Sequence, residues 1–396
     1  MVITRWAEEI VLYQLESFPA VALLGPRQIG KTTLALGLES AGIITTYLDL
    51  ERPSDVARLT DADAYLRSKS GERVVIDEVQ RNAELFPILR GVIDEQRRTG
   101  TGHGAFLLLG SASLELVGAA SESLAGRLAY VDLTSITPAE AKSASISQEQ
   151  TWLRGGFPNS LLANSDRQSL RWRESFIRSF LDRDIPMFAP RLPVETLSRL
   201  WQMVAHNSGG ILNAATLTTS LGVSGPTVSR YLDLLVDLGM LRFLRPWTAN
   251  VAKRVVKRPK VFVRDTGILH ALLAIETMEE LRGHPVIGHS FESLVVESLS
   301  TALATNARGT SWEVFYYRTH QGSEIDLVLV KGGTPKIAVA IKNSTSPKLT
   351  QGFHNARQDL GVDQSYVVYS GTERYKIAPN IDVISLVELQ NILHAM

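Results

Sequence analysis

With 396 residues, no net charge and no cysteine, the chain is long enough for two or three domains. Zero net charge gives no whole-molecule attraction to nucleic acid, so any such site must be a local patch. The missing cysteines exclude disulfides, thiolate zinc sites and cysteine nucleophiles. Hydrophobic residues at 44% suffice for real cores, yet no apolar run reaches membrane-spanning length. The N-terminus lacks a signal-peptide pattern, and the expectation is a cytoplasmic protein with no membrane partner.

In chain order, Trp6 to Phe18 reads as an amphipathic helix. Val21 to Leu24 reads as a buried strand, and Gly25, Pro26, Arg27, Gln28, Ile29, Gly30, Lys31, Thr32 and Thr33 follow before helix-forming residues. This is the spacing of a phosphate-binding loop in its strand–turn–helix setting. The glycines free the backbone so that successive N–H groups and the helix N-terminus face phosphate. Lys31 is the candidate for the β- and γ-phosphates of ATP, and Thr32 for Mg²⁺. A second apolar strand, Val74 to Ile76, ends in Asp77 and Glu78. Asp77 is expected to hold Mg²⁺ and Glu78 to activate the attacking water.

A third apolar strand, Ala105 to Leu109, ends at Gly110 and Ser111, and Ser111 is the candidate sensor of the γ-phosphate. Arg127 precedes a last strand, Leu128 to Leu133. It is read either as an arginine finger reaching a neighbouring subunit's nucleotide or as a surface salt bridge. Strands alternating with helices predict a parallel sheet with helices on both faces.

The polar run from Lys142 to Glu149 reads as a loop or linker, and residues 167–185 as an arginine-rich helix with lid character. Leu217 to Leu221, the turn at Gly222 to Ser224, and the periodic helix from Thr227 to Leu238 read as a helix-turn-helix. A strand from Met240 to Leu244 adds a wing. Thr227 and Arg230 face outward on the second helix, and Lys253, Arg254, Lys257, Arg258 and Lys260 form a basic run. Double-stranded DNA is the favoured partner, with a protein-binding winged helix as the open alternative.

In the last stretch, from residue 285, a helix opened by Gly288 to Glu292 and running through Leu299 precedes strands carrying Asp326 and Lys342. That layout is one of restriction-endonuclease-like nucleases, which need two carboxylates for Mg²⁺ and a lysine. The second carboxylate is expected two residues before the lysine, where Ala340 stands. Glu292 or Glu324 would have to substitute, and the site is read as catalytically degenerate.

The chain resembles the prokaryotic AAA-type ATPases that carry a C-terminal domain of unknown function with an endonuclease-like fold. The resemblance rests on residues 25–33, 75–80, 108–113, 124–127, 155–158, 180–185, 260–267, 291–292 and 324–326, and so spans nearly the whole chain. It implies ATP binding and hydrolysis, a winged-helix middle, and a finger role for Arg127 between subunits of a homo-oligomer. The expected fold class is α/β: a P-loop, AAA+-like parallel-sheet domain over residues 1–140, a helical lid or linker over 141–205, a winged helix over 206–284 and an endonuclease-like domain over 285–396. The expected function is an Mg²⁺-dependent ATPase switch coupling nucleotide state to DNA. The alternatives are an ATP-gated protein-binding sensor with little hydrolysis and an ATP-gated nuclease.

Overall fold

Five short stretches in the first third of the chain pair into one parallel sheet. They are β1 (Ala20–Leu24), β2 (Thr46–Asp49), β3 (Val74–Asp77), β4 (Phe106–Gly110) and β5 (Leu128–Asp132), in the order β2-β3-β4-β1-β5. Every residue of β1, β3 and β4 is buried, whereas the edge strands β2 and β5 alternate. Central parallel strands covered on both faces require that near-continuous apolar run. The computed structural model describes residues 2–100, 103–111, 124–190, 192–248, 255–306 and 311–396. The chain divides into two compact units, residues 2–135 with 237–239, and residues 136–236 with 240–396.

Parallel register fixes what stands together at the C-terminal edge of the sheet. Leu24 is opposite Gly110, Ile76 opposite Leu108 and Asp49 opposite Asp77. The phosphate loop after β1, Asp77 at the end of β3 and Ser111 after β4 therefore emerge side by side. In open α/β sheets this edge is where ligands bind.

The second unit opens with a departure from the sequence reading. The run expected as a loop from Lys142 to Glu149 is a loop only over residues 144–147; its ends belong to helices Pro138–Ser143 and Gln148–Arg154. Its polarity reflects helix caps. Thr137 and Glu140 form a reciprocal capping box, and the Ser147 hydroxyl accepts from Gln150 N at 3.1 Å. Arg173, one of the arginines of the predicted lid helix, is fully buried in helix Asp166–Ser179. It donates to the carbonyls of Ser169, Leu153 and Gly267, so it holds this unit together. Phe157, Trp172, Phe176, Phe180 and Trp201 continue the core as a chain of ring contacts with centroids 4.7–6.1 Å apart.

Helices Ala214–Leu221 and Gly225–Asp237 follow, separated by Gly222 in the left-handed region at φ 67°. The hairpin β6 (Leu241–Leu244) and β7 (Lys260–Val263) is antiparallel. The remaining strands are β8 (Glu313–Arg318), β9 (Glu324–Lys331), β10 (Thr334–Lys342), β11 (Gln364–Tyr369), β12 (Tyr375–Ala378) and β13 (Ile381–Ser385). They form a mixed sheet in the order β12-β13-β11-β10-β9-β8, with β10, β11 and β13 parallel. Helix Gln351–Leu360 connects β10 to β11.

Helix Thr266–Leu272 approaches residues 154–155 so closely that a Cβ on Gly267 would stand 2.1 Å from the Arg154 carbonyl oxygen. Backbone cannot yield there as a flexible side chain would. Gly267→Ala is expected to destabilise by about 2 kcal/mol, an overpacking cost, seen as a lower denaturant midpoint. Gly288→Ala, in helix Ile287–Ala304 with nothing within 4 Å of the new methyl, should leave the midpoint unchanged or raise it.

Candidate functional site

The loop after β1 is shaped by its glycines and held from behind. Gly30 lies at φ 104° and Gln28 at φ 62°, the left-handed conformations that turn consecutive amides inward. A Cβ on Gly25 would stand 2.3 Å from the Leu133 carbonyl oxygen. Arg5, buried, donates to Thr134 O at 2.6 Å and Ile29 O at 3.4 Å, bracing the loop and the chain beyond β5. Helix Lys31–Ser40 starts at the loop, so its unpaired amides and partial positive charge face the same space.

Lys31 is buried, and its ammonium donates to Gly25 O at 2.8 Å and Pro26 O at 2.9 Å. Burial lowers its pKa to about 8, against the opposing pull of the Glu78 and Asp77 carboxylates. Thr32 Oγ1 donates to Asp77 Oδ2 at 2.8 Å. The hydroxyl and carboxylate read from the sequence as the metal pair thus meet across 45 residues of chain.

Asp77 gathers two further donors. Tyr47 OH donates to Oδ2 at 2.5 Å, and the Glu78 amide donates to Oδ1 at 2.9 Å. Burial and this bond raise the Tyr47 phenol above its ordinary range. Glu78 sits in the left-handed region at φ 55° and ψ 41°, an uncommon conformation for a residue with a side chain. Burial raises its carboxyl pKa, with Lys31 opposing. The Gln80 amide donates to Glu78 Oε2. Tyr47 carried no signal in the sequence, since it comes from a neighbouring strand, and Gln80 lay within the 75–80 motif without a role assigned to it.

Ser111 is buried at the end of β4, between the strands that carry the loop and Asp77. Arg127 is at the other edge of the sheet, where its carbonyl accepts from Ala20 N at 3.1 Å. Its guanidinium pairs with Asp94, Nε to Oδ1 at 2.7 Å and Nη2 to Oδ2 at 3.0 Å. Within one chain it is therefore remote from the phosphate loop.

In the second unit, Arg230 is exposed and stacks over Tyr231 at 5.8 Å, while Thr227 is half-buried against the Ser224 hydroxyl. Lys257 and Arg258 are exposed; Lys253 and Arg254 lie outside the described residues. Lys260, which closes the basic run in the sequence, is not a surface charge at all. It is buried, and its ammonium lies 2.8 Å from Glu292 Oε1 and 3.2 Å from Glu324 Oε1. Burial disfavours its charge, but Glu292, Asp326 and Glu324 together outweigh that and raise its pKa. Asp326 Oδ2 accepts from Ile341 N at 2.8 Å and is 3.9 Å from Lys342 Nζ. Ala340 lines the same 290 Å³ pocket as Glu324, Asp326 and Lys342. These residues do not fit a nuclease's Mg²⁺: Ala340 offers no oxygen, and both glutamates are committed to an internal ammonium.

Two predictions follow from the buried lysines. For Lys31, the folded chain binds its proton less tightly than the unfolded chain does. Between about pH 8 and the ordinary lysine value of 10.5, the unfolded state therefore holds the extra proton, and stability rises with pH. Denaturant unfolding of nucleotide-free protein should show wild type gaining about 2 kcal/mol relative to Lys31→Met between about pH 7.5 and about pH 9.5. For Lys260 the sign reverses. Lys260→Met leaves buried carboxylates without their cation and should cost about 3 kcal/mol in the same assay, with partial recovery when Glu292→Gln is added.

Residues 17–141 match the family model of an AAA domain. Residues 146–279 and 287–389 match two domains of unknown function, DUF8612 and DUF4143. Uncharacterized proteins Rv2008c of Mycobacterium tuberculosis and Mb2031c of Mycobacterium bovis are each 39% identical over 367 residues, 93% of this chain and 80% of theirs. Among solved structures, the Walker-type ATPase PABY2304 of Pyrococcus abyssi aligns at TM-score 0.47 and 14% identity, over 69% of this chain and 96% of that one. RuvB of Thermotoga maritima aligns at 0.31 and 21%, over 61% and 89%. Among the described residues no helix is long and apolar enough to cross a membrane. The chain belongs to the family of these two mycobacterial proteins, and its N-terminal third is an AAA-type P-loop domain.

Proposed function

We propose that the protein is an Mg²⁺-dependent ATPase that works as a homo-oligomeric switch, its nucleotide state governing how the C-terminal unit engages DNA. The carrying observation is the meeting of Thr32 Oγ1 and Asp77 Oδ2 at 2.8 Å beside Lys31 and Glu78. A hydroxyl and a carboxylate are the oxygen donors that suit Mg²⁺, which when bound would neutralise charge on the β- and γ-phosphate oxygens. The loop amides and the helix start at Lys31 bind the phosphates, and Lys31 gives up its carbonyl partners for the more strongly accepting phosphate oxygens. Glu78 accepts the proton of the attacking water; its raised carboxyl pKa makes it a better base than an exposed glutamate. Ser111 is the γ-phosphate sensor, and Arg127, remote from its own loop, acts on the nucleotide of a second copy.

One observation favours the second reading, a nucleotide-gated sensor with little turnover. Glu78 is held by Gln80, and Arg127 is held by Asp94 of its own chain. Both contacts must break before either residue serves hydrolysis, so turnover by isolated chains should be slow. The nuclease reading has no such support, because Lys260 occupies the acid cluster.

Glu78→Gln separates the ATPase from the sensor. Nucleotide binding by calorimetry should stay near wild type while phosphate release falls by about 100-fold, the usual contribution of a positioned base. Phosphate release at the wild-type rate would remove Glu78 from the mechanism.

A further inference from the structure

The second unit holds a cavity of about 760 Å³ with basic residues from both segments that line it. Lys257, Arg258, Arg318 and His320 line it with Thr248 and Thr319; no described residue of the lining is a carboxylate, and the nearest acid to these cations is Glu324, 3.7 Å from Arg318 outside the lining. Its walls are tied together. Val256 N donates to Arg318 O at 2.9 Å, Val255 and Thr319 are bridged, and Tyr316 OH donates to the Arg258 carbonyl. The cations are thus presented from braced backbone, while the Lys257, Arg258 and His320 side chains stay exposed. At Gly322 the groove meets the smaller pocket that contains Lys342.

We propose that this groove, between residues 255–258 and the β8–β9 turn, is the seat of a DNA strand, its phosphates lying on Lys257, Arg258 and Arg318 and its path continuing past Gly322 toward Lys342. The inference deepens the DNA reading given above and rests on it. Several cations spread along a groove match the repeating charge of a phosphodiester chain better than the single charge of one phosphorylated side chain. The chain has no net charge, so this local concentration of positive charge is not a consequence of overall composition. The acid cluster next to the track would repel phosphate, but Lys260 and Lys342 lie against it within ion-pair distance. The strand is held and not cut, since the residues that would hold a cleavage metal hold an ammonium.

The test uses the full chain and a fluorescent duplex of about 30 base pairs, with the matching single strand, titrated by anisotropy across a salt series. Lys257→Ala with Arg318→Ala should weaken binding about tenfold or more at roughly 0.1 M salt and reduce the slope of log affinity against log salt by about two. ATP turnover should not change. Lys257→Arg with Arg318→Lys should restore affinity and slope, because the phosphates read charge. If the alanine pair binds like wild type while Thr227→Ala with Arg230→Ala loses binding, the groove is wrong and the DNA reading survives. If wild-type protein shows no salt-sensitive binding with ATP or ADP, or only a phosphopeptide competes for the groove, both fail.

Discussion

A buried ammonium must find compensating charge, and among the described residues Lys31 and Lys260 meet that need under opposite regimes. Lys31 and Lys260 are each almost wholly out of solvent. Lys260 has its anions built in: Glu292 and Glu324 touch it and Asp326 adds to the field, so its charge is secured. Lys31 has only the neutral carbonyls of Gly25 and Pro26 in contact, and its pKa falls to about 8. A cation left under-compensated at a helix N-terminus, among inward-turned amides, is what the phosphates of the proposed nucleotide would compensate. The same residue type is therefore an under-compensated cation at one place and a finished structural element at the other, and the difference lies in the neighbours.

Asp77 shows the complementary constraint. One carboxylate accepts from Thr32, Tyr47 and the Glu78 amide, which fixes its orientation at the strand end. Its grip on the Glu78 amide also holds the next residue in the left-handed conformation. The acid proposed to hold the metal and the acid proposed as base thereby have different partners although they are adjacent in sequence. Gln80 then holds the second of them by its carboxylate oxygen. Pre-organised donors of this kind cost no rearrangement at the moment of reaction, whereas the Gln80 contact must be exchanged first.

The phosphate loop and the Asp77–Glu78 pair were legible because their chemistry needs consecutive residues: a turn, a lysine, a strand end. The all-buried strands were legible for a similar reason, since central parallel strands need uninterrupted apolar runs. What escaped the sequence depends on residues far apart in it. Tyr47 reaches Asp77 from a neighbouring strand, and Arg5 braces the loop from the first helix's cap position. Helix Pro138–Ser143 was hidden by its capping residues, which resemble loop residues in composition. Lys260 was the most misleading. In sequence it ends a basic run, yet it is the first residue of the wholly buried strand β7, paired with Leu244, whereas Lys257 and Arg258 precede that strand and stay out.

The alanine at position 340 and the buried ammonium of Lys260 fit together electrostatically. With alanine in place of the expected acid, Asp326 loses the partner that would share a divalent ion, and the remaining carboxylates require some other cation. Lys260 supplies it from β7, a strand of the preceding hairpin, and Lys342 stands at the far side of Asp326. Three acids against two ammonium groups, with Arg318 3.7 Å from Glu324, make the region close to neutral without metal. Charge balance of this sort removes the reason for a metal to bind and, with it, the means of generating a nucleophilic water. It also removes the repulsion that a bare acid cluster would impose on a passing phosphate chain. A site balanced in this way does not repel a polyanion, and restoring an acid at position 340 alone would upset that balance before it recreated any metal site.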